Sequence, residues 1–128
     1  MAFALTNKAF SSPPIACTYI GELADQAAAG TLTDTGVTGL KHMRGRIYVK
    51  SGMANTETFA FYVRVDDTAA LASPQLIYQS PTYTTITADT ESMFDFECSS
   101  HTGFRYFQIV AAESGTTAMA YDALIQCW

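Results

Sequence analysis

Residues 58–65 read TFAFYVRV, and this stretch decides the fold class. Large apolar side chains recur there at every second position, namely Phe59, Phe61, Val63 and Val65. The positions between them carry a different mixture of side chains, namely Ala60, Tyr62 and Arg64. Successive side chains of a β-strand point to opposite faces. The stretch therefore predicts a strand with one core-facing side and one side of mixed character.

A similar strand pattern recurs along the rest of the chain. It is rich in β-branched and aromatic residues and bounded by turn residues, at 15–20, 44–50, 75–79, 83–87, 93–98, 104–112 and 116–128. With residues 58–65 this gives about eight strands, at a spacing typical of sandwiches and barrels, and without the alternating helices of a parallel sheet. We predict an all-β fold in which two antiparallel sheets pack as a single-domain β-sandwich.

Four stretches depart from this strand pattern. Residues 22–29 have helical propensity, and Gly30 is placed to cap a helix of at most two turns. Residues 31–39 predict a loop with a short edge strand at its start, and residues 51–55 predict a turn. Residues 99–103 predict a loop that carries His101.

The bulk composition describes a folded domain that is not built to bind polyanions. Of the 128 residues, 48% are hydrophobic and 15% are charged, which suits one domain with a core of its own. The formal charge is −5, from seven basic and twelve acidic residues. The basic residues that do cluster, Lys41, Arg44, Arg46 and Lys50, are typical of a solvated strand face. We therefore expect no nucleic-acid partner.

Residues 1–14 are predicted to form an N-terminal arm. Phe3, Leu5 and Phe10 are apolar, and a Ser-Ser-Pro-Pro run at 11–14 then stops regular structure. These apolar side chains either fold onto their own domain or lie on a neighbour, and the sequence favours neither. The segment lacks the continuous apolar run of a signal peptide, and no stretch reaches the roughly 20 apolar residues of a membrane span. We expect a soluble protein without a membrane partner.

Cysteine and histidine spacing gives no support for a metal site or a cofactor. Cys17, Cys98 and Cys127 are widely spaced and form no C-x-x-C pair. Cys98 and Cys127 lie in strand-like runs and are expected to behave as small buried hydrophobes, although one disulfide remains open. Asp66 and Asp67 lack the further oxygen ligands that calcium needs, so a polar strand end is the better interpretation.

The remaining polar residues do not make a convincing catalytic site. His101 has Ser99, Ser100 and Thr102 beside it, but neighbours on one loop seldom converge as a triad. His42 has no partner at a metal-type spacing. Asp95 and Glu97 are two residues apart on one strand, where a water-facing side explains them fully. We expect that the chain is not an enzyme.

The second half of the chain resembles a known group of viral proteins. The residues that carry the likeness are VRVDD at 63–67, LASP at 71–74, FRYFQIV at 104–110, SGTT at 114–117 and the final strand. This order is similar to that of the jelly-roll capsid cement, or head decoration, proteins of tailed bacteriophages. The likeness covers residues 44–126, rests on strand and turn chemistry, and leaves residues 1–43 unmatched. The three cysteines and the apolar arm depart from it.

The resemblance implies a fold and a function. Residues 15–128 would form one jelly-roll β-sandwich, and the protein would form homotrimers that clamp neighbouring major capsid proteins on the outside of the head. Synthesis would take place in the cytoplasm of the host bacterium, and the finished protein would belong to the virion. The family has no catalytic residues or cofactors to transfer.

Two kinds of interface residue follow from these patterns. Phe3, Leu5 and Phe10 of the arm are candidate partner contacts. Tyr48, Tyr62 and Tyr106 lie opposite the more apolar face of their strands, where aromatic anchors of an interface would lie, although ordinary sheet packing explains them equally well. The alternative function is a carbohydrate-binding jelly-roll module of a phage tail or another surface structure, which would stack sugars on surface Tyr and Trp. The single tryptophan, Trp128, has a simpler interpretation as a side chain folded back on the core.

Overall fold

The computed structural model describes residues 18–51, 58–84, 92–113 and 120–128. Within them the chain forms nine β-strands, in the order β1 Tyr19–Gln26, β2 Thr33–Asp34, β3 Leu40–Ser51, β4 Thr58–Asp66, β5 Gln75–Gln79, β6 Tyr83–Thr84, β7 Ser92–Phe104, β8 Tyr106–Glu113 and β9 Ala120–Cys127. None of these residues forms a helix that is long and apolar enough to cross a membrane.

The strands form two antiparallel sheets. The four-stranded sheet has the order β1-β9-β3-β7. The five-stranded sheet has the order β2-β8-β4-β5, and β6 also pairs with β4. The two sheets pack as a sandwich, which confirms the predicted all-β, jelly-roll-like class with nine strands where about eight were expected.

The core lies between the sheets and follows the period of two. Phe61, Val63 and Val65 of β4 are fully buried there, as residues 58–65 predicted. The Phe61 ring contacts the rings of Phe94 and Tyr121, which belong to the opposite sheet, at centroid distances of 5.3 and 5.2 Å. The Tyr121 hydroxyl donates a hydrogen bond of 3.0 Å to the backbone carbonyl of Ile109 on β8. Aromatic contacts and one buried hydrogen bond therefore join the two sheets.

The helix predicted for residues 22–29 is wrong. Residues 19–26 form β1, which pairs with β9 from Tyr19 opposite Cys127 to Gln26 opposite Tyr121. A short helix would leave most of its backbone groups without partners, whereas the edge of β9 supplies them. Gly30 ends a turn instead of a helix, since its amide donates to the Ala27 carbonyl. Its φ of +67° and a position where an added Cβ would lie 1.9 Å from the Ile109 oxygen both require glycine.

The loop predicted for residues 99–103 is also wrong. Strand β7 continues through them, and Ser99 pairs with His42 on β3. The polar side chains are accommodated by hydrogen bonds: the buried Ser100 hydroxyl lies 2.9 Å from the side-chain oxygen of Gln75 and 2.7 Å from the Thr102 carbonyl oxygen. This run of small polar residues predicted a loop because its strand partner His42 and the side chain of Gln75 come from distant parts of the sequence.

Several predicted strands and turns lie at or beyond the ends of the described ranges. The edge strand expected within 31–39 is confirmed as β2. The strand predicted for 15–20 begins in the structure at Tyr19, and the strand predicted for 83–87 is described only at 83–84. The predicted turn at 51–55 lies outside the described residues from 52 onward, as does the whole predicted arm at 1–14.

Candidate interaction surface

The outer face of the five-stranded sheet brings two predicted interface residues onto one surface. Strand alternation turns Tyr62 and Arg64 of β4 away from the core. Their antiparallel partners are Val110 and Gln108 on β8 and, opposite Arg64, Leu76 on β5. Tyr106 pairs with Asp66 at the end of the same strand pair. We call this surface the tyrosine face, formed by Tyr62, Arg64, Leu76, Tyr106, Gln108 and Val110.

The tyrosine face combines apolar area with fixed polar groups. Leu76 is exposed, and the two tyrosines are half-buried. Tyr62 and the Asp66 position that faces Tyr106 are four residues apart on β4, so the two rings are separated by roughly 13 Å along the strand direction. Two anchors at that spacing suit an extended protein surface more than a small ligand, because a protein interface covers about 800 Å² on each partner.

Arg64 is held at the centre of this face. Its Nη2 group donates to the side-chain oxygen of Gln108, and Gln108 Nε2 in turn donates to the Ala29 carbonyl at 3.0 Å. The Nε atom of Arg64 is buried and has no hydrogen-bond acceptor in the described part of the chain. Sequence reasoning did not select Arg64, Gln108 or Leu76, although Arg64 stands at an outward position of residues 58–65.

An ion pair lies beside Tyr106 at the edge of the face. Arg105 donates from Nε and Nη2 to the two carboxylate oxygens of Asp34 on β2, at 2.8 and 3.0 Å. The Arg105 guanidinium also lies 5.3 Å from the centre of the Tyr106 ring. The hydrogen bonds from Arg105 are the main reason that the pKa of Asp34 is lowered. This bidentate pair places a positive charge next to one ring of the tyrosine face.

Tyr48 does not belong to the tyrosine face. It lies on the outer side of the four-stranded sheet, opposite Met93 on β7 and Asp122 on β9. The alternation expected for this strand is present, but Tyr48 is only 3% exposed and offers little ring area to a partner. Phe3, Leu5 and Phe10 lie outside the described residues, and their role as contacts stays a prediction.

Two of the polar residues considered for catalysis, His42 and Asp95, take part in structural contacts. His42 Nδ1 lies 3.0 Å from the Ser99 hydroxyl, and the His42 ring stacks on Trp128 at 5.3 Å. Asp95 accepts two hydrogen bonds from Arg46, at 2.6 and 2.9 Å, which lower the pKa of Asp95. Asp95 and Arg46 face each other across β7 and β3, so this carboxylate holds two strands together.

Asp66 closes the end of β4 with its carboxylate. It accepts hydrogen bonds from the backbone amides of Asp67 at 2.7 Å and Ser73 at 3.0 Å. The Ser73 amide is the largest cause of the lowered pKa of Asp66. These contacts match a polar strand end. Among the described residues, no three His, Cys, Asp or Glu side chains are grouped so that they could hold a metal ion.

The two described cysteines are not joined by a disulfide. Met43 on β3 separates them, with Cys98 on one neighbouring strand and Cys127 on the other. Cys127 is fully buried and Cys98 is half-buried, much as expected for small hydrophobes. Cys17 lies outside the described residues.

Comparison with known proteins identifies no family for this chain. No family model matches it. No curated protein matches it either. Among solved structures, a chain in the structure of infectious bursal disease virus Gx strain has a TM-score of 0.44 and 11% sequence identity. That match covers 86% of this chain and 29% of the viral chain. A function for this chain is therefore inferred from its own residues.

Proposed function

We propose that this chain is a structural protein of a virus particle that binds other protein subunits through the tyrosine face. The observation that carries the proposal is the placement of Tyr62, Tyr106 and Arg64 on one outer sheet face. Tyrosine and arginine are among the residues that dominate binding energy at protein interfaces. A subunit that stabilises a shell needs such anchors and needs no reactive groups.

The tyrosine face has the rigidity that tight binding requires. Its residues stand on β4, β5 and β8, which are hydrogen-bonded neighbours in one sheet. Arg64 is held by a hydrogen bond to Gln108, and Tyr106 lies next to the Arg105 guanidinium. Side chains that are already ordered lose little conformational entropy when a partner binds, so more of the contact energy appears as affinity.

The more specific proposal is a capsid cement or decoration protein of a tailed bacteriophage. It draws on the sequence likeness of residues 44–126 to that family. In this role the protein is a homotrimer on the outer surface of the head and contacts the major capsid protein. It works without enzymatic activity, cofactor, nucleic acid or membrane, and it joins the virion after synthesis in the host cytoplasm.

The first test is the solution mass of the full chain, measured by light scattering after size exclusion. A stable trimer supports the cement role, because a threefold assembly is what that role implies. A strict monomer across the accessible concentration range counts against it.

The second test measures binding to capsids directly. Expanded heads of tailed bacteriophages that have been stripped of their decoration proteins are sedimented with the purified chain, and the bound chain is quantified. Saturable binding to heads of at least one phage is expected, and absence of binding to heads from a broad panel contradicts the bacteriophage assignment. Binding to the shell of another virus would support the general structural role and contradict the assignment to a tailed bacteriophage.

The carbohydrate-binding alternative is less well supported by the structure. Trp128, which would have to stack on a sugar, instead stacks its half-buried ring on His42. A glycan array separates the two functions, since a cement protein should bind none of the arrayed sugars. Reproducible binding of the native chain to an arrayed sugar would favour the alternative.

A further inference from the structure

Arg64 carries a charge that the tyrosine face leaves without a counter-charge. Its antiparallel neighbours are Gln108 on β8 and Leu76 on β5, neither of which is an acid. Among the described residues its guanidinium has one hydrogen-bond acceptor, the side-chain oxygen of Gln108, and its buried Nε atom has none. A guanidinium has five N–H donors, so the described part of the chain uses only a small share of its hydrogen-bonding capacity.

Two other arginines show what this position lacks. Arg46 donates from Nε and Nη2 to the carboxylate of Asp95, which faces it across β3 and β7. Arg105 uses the same two nitrogens on the carboxylate of Asp34. In both pairs the planar fork of the guanidinium meets the two oxygens of one carboxylate, which is the geometry that arginine favours. At Arg64 the fork meets only a neutral side-chain amide.

Asp66, the only acid in β4, does not take this role. It lies two residues after Arg64 and therefore on the same face, about 7 Å away along the strand. Its carboxylate accepts hydrogen bonds from the backbone amides of Asp67, Thr68 and Ser73 at the strand end. Asp66 is thus engaged elsewhere, and Arg64 has no ion pair with an acid among the described residues.

Gln108 holds the Arg64 guanidinium in place from the side of β8. Its Nε2 group donates to the Ala29 carbonyl at 3.0 Å, and the oxygen of the same amide accepts from Arg64. The backbone around Ala29 is tied to β8 as well, because the Ala111 amide donates to the Ala28 carbonyl at 2.7 Å. The charge is therefore positioned before a partner arrives, which limits the entropy that binding has to remove.

We propose that the partner of the tyrosine face places a carboxylate, from an aspartate or a glutamate, on the Arg64 guanidinium. This rests on the proposed function, because Arg64 leaves water only when another protein covers the face. A buried charge without a counter-charge is costly, whereas a hydrogen-bonded carboxylate compensates for it and fixes the register of the two surfaces. Neutral carbonyl oxygens of a partner would leave the charge uncompensated.

The surroundings of Arg64 suit an incoming carboxylate. The side chains across the strands and two residues before it, Gln108, Leu76 and Tyr62, are uncharged. The formal charge of the chain is −5, but exposed charges further apart than about 8–10 Å are largely screened at physiological ionic strength. Tyr62 and Tyr106 lie about two strand positions to either side of Arg64. A partner in extended conformation would therefore carry its acid between two apolar side chains, each two residues away.

Nuclear magnetic resonance of the full native chain tests this contact without any capsid. The probe is the peptide acetyl-Leu-Ser-Glu-Ser-Leu-amide, titrated at constant ionic strength while the side-chain Nε–H signals of the arginines are followed. The Arg64 signal should shift at least about threefold more than those of Arg46 and Arg105, whose Nε donors already have carboxylate acceptors. The matched peptide with glutamine in place of glutamate should leave the Arg64 signal almost unchanged. Equal shifts of the three arginines, or equal effects of the two peptides on Arg64, overturn the proposal.

Charge removal on the capsid shell separates this inference from the proposed function. Arg64→Gln should weaken binding to the shell by at least about tenfold, because the carboxylate of the partner loses its counter-charge. Lys41→Gln removes the same charge at an exposed position of the other sheet and should bind like the native chain. Native-like binding by Arg64→Gln overturns the carboxylate contact while the proposed function stands. A native chain that binds no shell, yet responds at Arg64 to the glutamate peptide alone, contradicts the proposed function and supports the carboxylate contact.

Discussion

At the scale of single residues, Asp66 shows how a carboxylate can stabilise a strand end without binding a metal. Its pKa is lowered in the folded protein by the backbone amides that it accepts, with Ser73 first among them. An acid with a lowered folded-state pKa contributes stability above its unfolded pKa of about 3.9 and loses that contribution as the pH falls through the folded value. Asp34 and Asp95 have lowered pKa values and contribute with the same sign.

We predict that Asp66→Asn reduces the acid sensitivity of the fold. The variant should be less stable than the native chain at pH 7, and the difference should shrink at pH 3, where the native carboxylate is losing its charge. Urea unfolding at both pH values measures this. Gln79→Asn, at an exposed and non-titratable position of β5, is the control and should leave the pH dependence unchanged. A difference for Asp66→Asn that does not shrink at pH 3 would contradict the prediction.

Cys98 leads to a prediction of low reactivity. Burial raises the pKa of its thiol to about 12. Since the thiolate is the reactive form, alkylation of native Cys98 by iodoacetamide at pH 8 should be at least about a hundredfold slower than that of a free thiol. Mass spectrometry of the modified peptide gives the rate, and the same measurement in urea is the control, where the rate should rise to that of a free thiol. Rapid labelling of the folded protein would show that the site opens readily.

At the scale of elements, strands β3 and β7 pack closely at Gly45, because glycine has no side chain. Gly45 pairs with Phe96, whose ring lies over the glycine and stacks on Tyr78 at 4.8 Å. An added Cβ at position 45 would lie 2.2 Å from the Phe96 ring. The ring thus fills the space that an ordinary strand residue would occupy, and it joins the four-stranded sheet to β5 of the second sheet.

We predict that Gly45→Ala destabilises the protein by about 1–3 kcal/mol, because the buried Phe96 ring has to move out of a packed core. Urea unfolding measures the loss. The double variant Gly45→Ala with Phe96→Leu should lose less than the sum of the two single variants, since leucine leaves room for the new methyl group. If the stability losses of the two single variants simply add in the double variant, the Phe96 ring is not what opposes the new methyl group.

At the scale of the whole molecule, the two outer faces of the sandwich differ. The face of the five-stranded sheet carries the tyrosine face, with Tyr62 and Tyr106 half-buried and Leu76 exposed. The middle of the other outer face, at Leu124 and Gln126, is buried. If the proposed function is correct, this asymmetry favours the tyrosine face as the side that binds partners.

We predict that removing both rings, with Tyr62→Ala and Tyr106→Ala, weakens binding to capsid shells by at least about tenfold, as expected for aromatic anchors of an interface. The free energy of unfolding should change by about 1 kcal/mol per substitution or less, because both rings are only half-buried. Met93→Ala, at an exposed position of the other sheet, is the matched control and should bind normally. Unchanged binding by the tyrosine variant, with a normal control, would place the contact surface elsewhere.

Local sequence alone determined the fold class and its clearest strand. The alternation in residues 58–65 specifies a strand wherever the chain buries one face, and the structure places Phe61, Val63 and Val65 in the core as that pattern requires. The same alternation placed Tyr62 on the outer side. These features depend on neighbours a few residues away, so they can be read without knowing the rest of the fold.

Only the tertiary structure decided the features whose causes are distant in sequence. Residues 22–26 are a strand and not a helix because β9 offers them backbone partners, and residues 99–103 continue β7 because β3 does the same. Arg64 meets Gln108 because β4 pairs with β8, and Tyr48 is buried although its strand pattern turns it outward. Hydrogen-bond partners and covering layers come from segments tens of residues away, and the pattern of a single strand contains no information about them.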